Sequence, residues 1–192
     1  MEKLRVGLVG TYQESFDANK AREIFNHSVK ELEKLGKQQG FTVVPIKDLL
    51  LDGEDAERAR VELESKQVDF VLCQVSCFAS GEIIKPLALT KAWLGLWAVP
   101  EGAEEGPLPL NSFCGMNMYG SIIAYHLKNY DIPYKWFFGN VEDQLFRDRF
   151  DITIRVLSTI KNLRNSNIAL IGGVAPGFKD LDYDARLLEW RY

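Results

Sequence analysis

The chain reads as an α/β protein, a three-layer α/β/α sandwich around a parallel sheet. Short apolar runs alternate with amphipathic stretches along the sequence. The run at 68–75 has almost no polar break, as a strand covered on both faces does. Each strand-like run leads into a helix-like one, and right-handed βα units of this kind stack into a sheet with helices on both sides.

Taken in order, residues 4–9 form a short apolar strand. Residues 19–39 place Ile24, Phe25, Val29, Leu32 and Leu35 on one stripe, an amphipathic helix that Gly40 ends. Residues 41–46 give the second strand. Residues 54–66 read as a charged, solvent-facing helix with Ala56, Ala59, Val61 and Leu63 as its apolar content. After the third strand at 68–75, Ser80 caps a short helix that Pro86 kinks or resets. Residues 94–99 are the fourth strand. Residues 100–109, rich in Glu, Gly and Pro, form a loop. A helix over 115–129 turns Tyr119, Ile122, Ile123, His126, Leu127 and Tyr130 inward. Residues 134–138 are the fifth strand, and a long helix follows with Phe146, Phe150, Thr153, Val156, Leu157 and Ile160 on its stripe. The simplest assembly of five such units is the flavodoxin-like strand order 2-1-3-4-5.

A sixth apolar run at 167–171 leads into Gly172-Gly173-Val174-Ala175-Pro176-Gly177-Phe178 and a helix-like segment from Asp184. A strand, a Gly/Pro turn and a helix make the opening unit of an α/β layer, so 1–165 is expected to be one flavodoxin-like domain and 166–192 the start of a second. Leu187, Leu188 and Trp190 then belong to an appendage that docks elsewhere or moves.

Composition excludes some functions. With 192 residues, 46% hydrophobic, 26% charged and a net charge of -4, the chain supplies no basic stripe for a phosphate backbone, so nucleic acid is not an expected partner. Its N-terminal apolar run is too short for a signal segment or a membrane span, and the expected location is the cytosol. Cys73, Cys77 and Cys114 lack metal-type spacing and read as reduced, mostly buried thiols.

Ligands of open parallel sheets bind beyond the carboxyl ends of the strands. That rule selects 10–19, 76–81, 100–120, 139–143 and 172–182. Residues 10–13 lack the glycines of a dinucleotide fingerprint and the Gly-Lys-Ser/Thr of a P-loop, which disfavours nucleotides and flavin. Residues 111–120 mix amides, aromatics, sulfur and glycine at a helix entrance. They suit a polyol pocket, but composition favours the plainer reading, a helix capped by Ser112 or Asn111 with Met116 and Met118 filling core. His27 falls on a polar helix face, and His126 reads as a satisfied core histidine. No Glu/Asp/His cluster with metal spacing is visible, and Glu101, Glu104 and Glu105 read as a solvated loop.

The segments Gly10-Thr11-Tyr12, Asp69-Phe70-Val71-Leu72 with Ser76-Cys77-Phe78, Leu110-Asn111-Ser112-Phe113-Cys114-Gly115, Phe137-Phe138-Gly139 and Ile171 to Phe178 occur in an order and spacing that resemble the N-terminal region of the L-fucose and L-arabinose isomerase superfamily, nearer the fucose branch. The resemblance implies an aldose–ketose isomerase acting on a small sugar, organised as a homo-oligomer in which the first domain of one subunit contributes sugar contacts at its neighbour's active site. It assigns those contacts to Tyr12, Gln13, Phe78 and Asn117, with Met118 beside it. It also implies a divalent metal, usually manganese, held by residues of later domains. No catalytic or metal-ligating residue is expected within this chain, which alone should be inactive. A non-catalytic sugar-binding or regulatory module on the same fold is the rival reading.

Overall fold

A computed structural model describes every residue except 1, 103, 104, 168, 170 and 192. Five strands, β1 (Leu4–Gly10), β2 (Phe41–Pro45), β3 (Phe70–Val75), β4 (Trp93–Ala98) and β5 (Tyr134–Phe138), pair in parallel in the order 2-1-3-4-5. Helices α1 (Ala18–Gln39) and α5 (Gln144–Arg164) cover one face. Helices α2 (Gly53–Ser65), α3 (Ile84–Ala88) and α4 (Ser112–Tyr125) cover the other.

Side chains alternate across each strand, and that alternation divides the interior into two cores. Leu8, Leu72, Trp97 and Phe137 point toward Phe25 and Leu32 of α1 and toward Phe146 and Phe150 of α5. Val9, Val71, Cys73 and Leu96 point the other way, onto Ala56, Leu63, Leu87, Met116 and Tyr119. The three-layer sandwich expected from the sequence is the observed one.

The ends of the elements follow from local chemistry. Asp17 accepts a hydrogen bond from the Lys20 amide at 2.9 Å and caps α1, while Gly40, at φ 84°, closes it in a conformation only glycine adopts freely. Asp52 caps α2 through the Asp55 amide at 2.9 Å, and Ser80 caps the short turn before α3 through Glu82 at 3.3 Å.

Several expected inward faces are corrected. Val61 and Val156 are exposed, and Ile154, at 2% exposure, takes the inward place in α5. The buried residues 146, 150, 153, 154 and 157 define a stripe that position 156 lies outside, so a hydrophobic residue is not by itself an inward one. His126 and Tyr130 are exposed rather than core, because α4 ends at Tyr125 and a separate turn, Lys128–Tyr130, redirects the chain. Cys114 is exposed, whereas Cys73 and Cys77 are buried.

The strand expected at 167–171 includes residues 168 and 170, which lie outside the described residues. Ile171 is 94% exposed. The glycines at 172, 173 and 177 all have positive φ, and helix α6 (Ala185–Arg191) follows. None of the described residues beyond 166 joins the sheet or either core.

Candidate functional site

The strand order reverses between β1 and β3, one leading outward to β2 and the other to β4 and β5. A crevice forms at such a switch point because the loops leaving the two strands turn to opposite faces of the sheet. Here the loops are 11–17 after β1 and 76–80 after β3.

Backbone and side-chain bonds lock these loops to each other. The Thr11 amide donates to the Gln74 carbonyl at 3.1 Å, and the Cys77 amide to the Thr11 carbonyl at 3.2 Å. The buried Thr11 hydroxyl donates to the Cys77 carbonyl at 3.0 Å, and the Gln13 amide to Cys77 Sγ at 3.4 Å. Behind them Tyr119, fully buried, donates its hydroxyl to the Ser80 carbonyl at 3.1 Å, and burial raises its pKa well above the ordinary phenol value. Burial likewise pushes up the Cys77 thiol. A thiol held protonated is a structural contact and not a nucleophile.

Residues 99–101 and 109–112 join this edge on the α4 side. Ser112 sits fully buried at the start of α4, donating to the Val75 carbonyl at 2.5 Å and accepting from the Val99 amide at 2.9 Å. One hydroxyl thus joins the ends of β3 and β4 to the helix. Glu101 accepts from the Leu110 amide at 3.0 Å and the Ser112 amide at 3.2 Å, placing a carboxylate at the positive end of α4. The solvated-loop reading of Glu101 is corrected: it is a half-buried capping residue contributed from eleven positions upstream of the helix start. Asn111, at φ 49°, makes no side-chain cap bond. The loop is tied to α1 by the Asp17 amide donating to the Pro109 carbonyl at 3.0 Å.

Of the residues the sequence nominated, Tyr12, Gln13 and Phe78 converge on this crevice. Tyr12 is half-buried against the α1 side of the core, and its amide bonds the Leu50 carbonyl at 3.0 Å. Phe78 is fixed by its amide to the Leu110 carbonyl at 2.7 Å, and its ring lies 5.7 Å from that of Phe16. Phe16 was not nominated, yet it sits three residues after Gln13, whose carbonyl its amide reaches at 3.1 Å.

Asn117 and Met118 do not join that cluster. Asn117 is exposed, donates to the Phe113 carbonyl at 2.8 Å, and faces a groove of about 500 Å³ between α4 and β5 lined also by Phe113, Tyr125, Tyr134 and Trp136. Met118 packs toward Gly81 and Ile122 in the core beneath α3. Consecutive helical residues point about 100° apart, so two neighbours in sequence serve different surfaces.

The residues brought together at the β1/β3 edge carry a phenol, a side-chain carboxamide and two aromatic rings. Tyr12, Gln13 and Phe78 are not a hard ligand set for manganese, and both oxygens of Glu101 already accept backbone amides. Away from the crevice, tertiary packing unites His27 and Glu31 of α1 with Glu142 of the loop before α5, their ligand-type atoms lying within 4.8 Å of one another. The sequence reading saw no such cluster: His27 and Glu31 stand at i, i+4 on α1, but the third group lies 115 residues from His27.

No family model matches the chain. Among curated proteins it is similar to sulfoquinovose isomerases from Priestia aryabhattai and Priestia megaterium, each 29% identical over 179 residues, covering 93% of this chain and 38% of theirs. A sulfoquinovose isomerase from Alkalicoccus urumqiensis is 30% identical over 165 residues, covering 82% of this chain and 36% of its own length. The chain therefore spans well under half the length of these relatives. No helix among the described residues is long and apolar enough to cross a membrane.

Proposed function

We propose that the chain is the sugar-recognition domain of an aldose–ketose isomerase of the fucose-isomerase-like kind. The observation that carries this reading is a conjunction. Similarity to sugar isomerases extends over 93% of the chain, and the residues assigned to sugar contact by resemblance, Tyr12, Gln13 and Phe78, lie together at the sheet's switch point.

Moving a proton between C1 and C2 of an open-chain sugar needs a base, and polarisation of the two oxygens. In the family that polarisation comes from a divalent metal held outside this region. The crevice instead supplies recognition. The Gln13 side-chain carboxamide and Tyr12 hydroxyl pair sugar hydroxyls once water is displaced, and Phe78 and Phe16 provide the apolar wall. Subunit association would bring this edge over the reacting centre of a neighbour. A second reading is a sugar-binding module without chemistry of its own, since Tyr12, Gln13 and Phe78 are recognition groups and not a nucleophile–base pair.

Assays of aldose–ketose interconversion separate the two readings. The 192-residue chain alone is expected to give no turnover. Joined to the remaining length of such an isomerase it should turn over, with Gln13→Ala raising KM. Turnover by the short chain would show the active site to be misplaced, and inactivity of the joined protein with sugar binding retained would favour the second reading.

A further inference from the structure

We propose that His27, Glu31 and Glu142 form a surface site for one divalent transition-metal ion of the zinc class, clamping α1 to the start of α5. The inference is independent of the isomerase reading, since the cluster lies outside the switch-point crevice.

The geometry is close to what such an ion requires. His27 and Glu31 are one turn apart on α1, so their side chains stand over one another. Glu142 arrives from the loop after β5 and already places Oε1 2.7 Å from His27 Nε2. Zinc bonds of about 2.0–2.2 Å put neighbouring ligand atoms roughly 3–3.5 Å apart. The three donor atoms here lie within 4.8 Å, so the set closes by side-chain rotation with no backbone change. The ion would replace the hydrogen bond between His27 and Glu142.

The donor chemistry selects the class of ion. Imidazole nitrogen and carboxylate oxygen are both zinc ligand types, and three such donors leave a fourth position open to water. Calcium and magnesium demand six or more oxygens and do not favour imidazole. The two carboxylates also balance the charge of the ion. The local competitor is the Lys34 ammonium, which bonds Glu31 Oε1 at 2.5 Å and holds its carboxyl below the usual range. Lys34 is mostly exposed and its stem is flexible, so it can release Glu31 to the ion.

The test titrates zinc chloride alone into the 192-residue chain carrying Cys114→Ser and His126→Gln, which removes the other exposed imidazole and thiol. Calorimetry is expected to show one zinc per chain, with a rise in Tm because the ion binds the folded state. Affinity should fall at least about tenfold in both His27→Gln and Glu142→Gln, as expected when a ligand is lost. Both side chains are exposed, so neither change threatens folding, and circular dichroism checks this. Absence of saturable binding in the parent, or binding that persists undiminished in either variant, overturns the proposal.

Discussion

Ser112 shows how much of the crevice rests on single polar atoms. Its hydroxyl is the shared partner of the Val75 carbonyl and the Val99 amide, both buried. Ser112→Ala is expected to cost about 1–3 kcal/mol, the range for stranding a buried polar group, read as a lower urea midpoint at unchanged slope. The cysteines divide by burial in the same way. Cys73 is fully buried and its pKa is pushed up to about 12, whereas Cys114 is exposed. A thiol reagent should therefore modify Cys114 in the native protein and Cys73 only on unfolding. The same burial has a pH consequence. Between the ordinary thiol value of 9 and about 12 the unfolded chain ionises Cys73 and the folded chain does not, so its contribution to stability falls as pH rises through that window. Burial of Cys73 and Cys77 was read from the sequence, whereas the exposure of Cys114 was not. The roles of Ser112 and Glu101 depend on strands and loops that only the fold brings within reach.

The elements were more legible than their partners. Period-2 and period-3.6 patterns located β1 to β5 and the long helices, because burial on one or both faces of the sheet imposes those periods. The start of α4 was missed by three residues. Phe113-Cys114-Gly115 does not look like a first turn, and the cap is Glu101, outside any local window. Strand β4 makes a testable case of element packing. A Cβ added at Gly95 would lie 2.6 Å from Phe70 Cζ, 2.9 Å from Phe137 Cε2 and 3.0 Å from Leu72 Cδ1. These are buried side chains packed against one another, so Gly95→Ala should destabilise by about 1–3 kcal/mol, measured by thermal or urea unfolding. At the open edge of the sheet, Arg149 stacks 4.2 Å over Trp136 and its Nε donates to the Trp136 carbonyl at 3.1 Å, which blunts β5 against pairing with a further strand.

At the scale of the whole molecule, the two layers of helices leave the carboxyl edge between β1 and β3 as the place where recognition groups gather. Tyr12, Gln13 and Phe78 were nominated by the family resemblance, at positions that follow strand ends. Asn117 and Met118 were nominated by the same resemblance, but helix geometry turns one to a groove and the other toward the core. The central claim is that the switch-point crevice binds sugar. Amide chemical shifts of the isotope-labelled 192-residue chain, followed as an aldose and its ketose are added, test it most directly. The account predicts saturable shifts concentrated at 11–17 and 76–80, weakened by Gln13→Ala. Shifts confined to the groove between α4 and β5, with Tyr12, Gln13 and Phe78 unmoved, would contradict it.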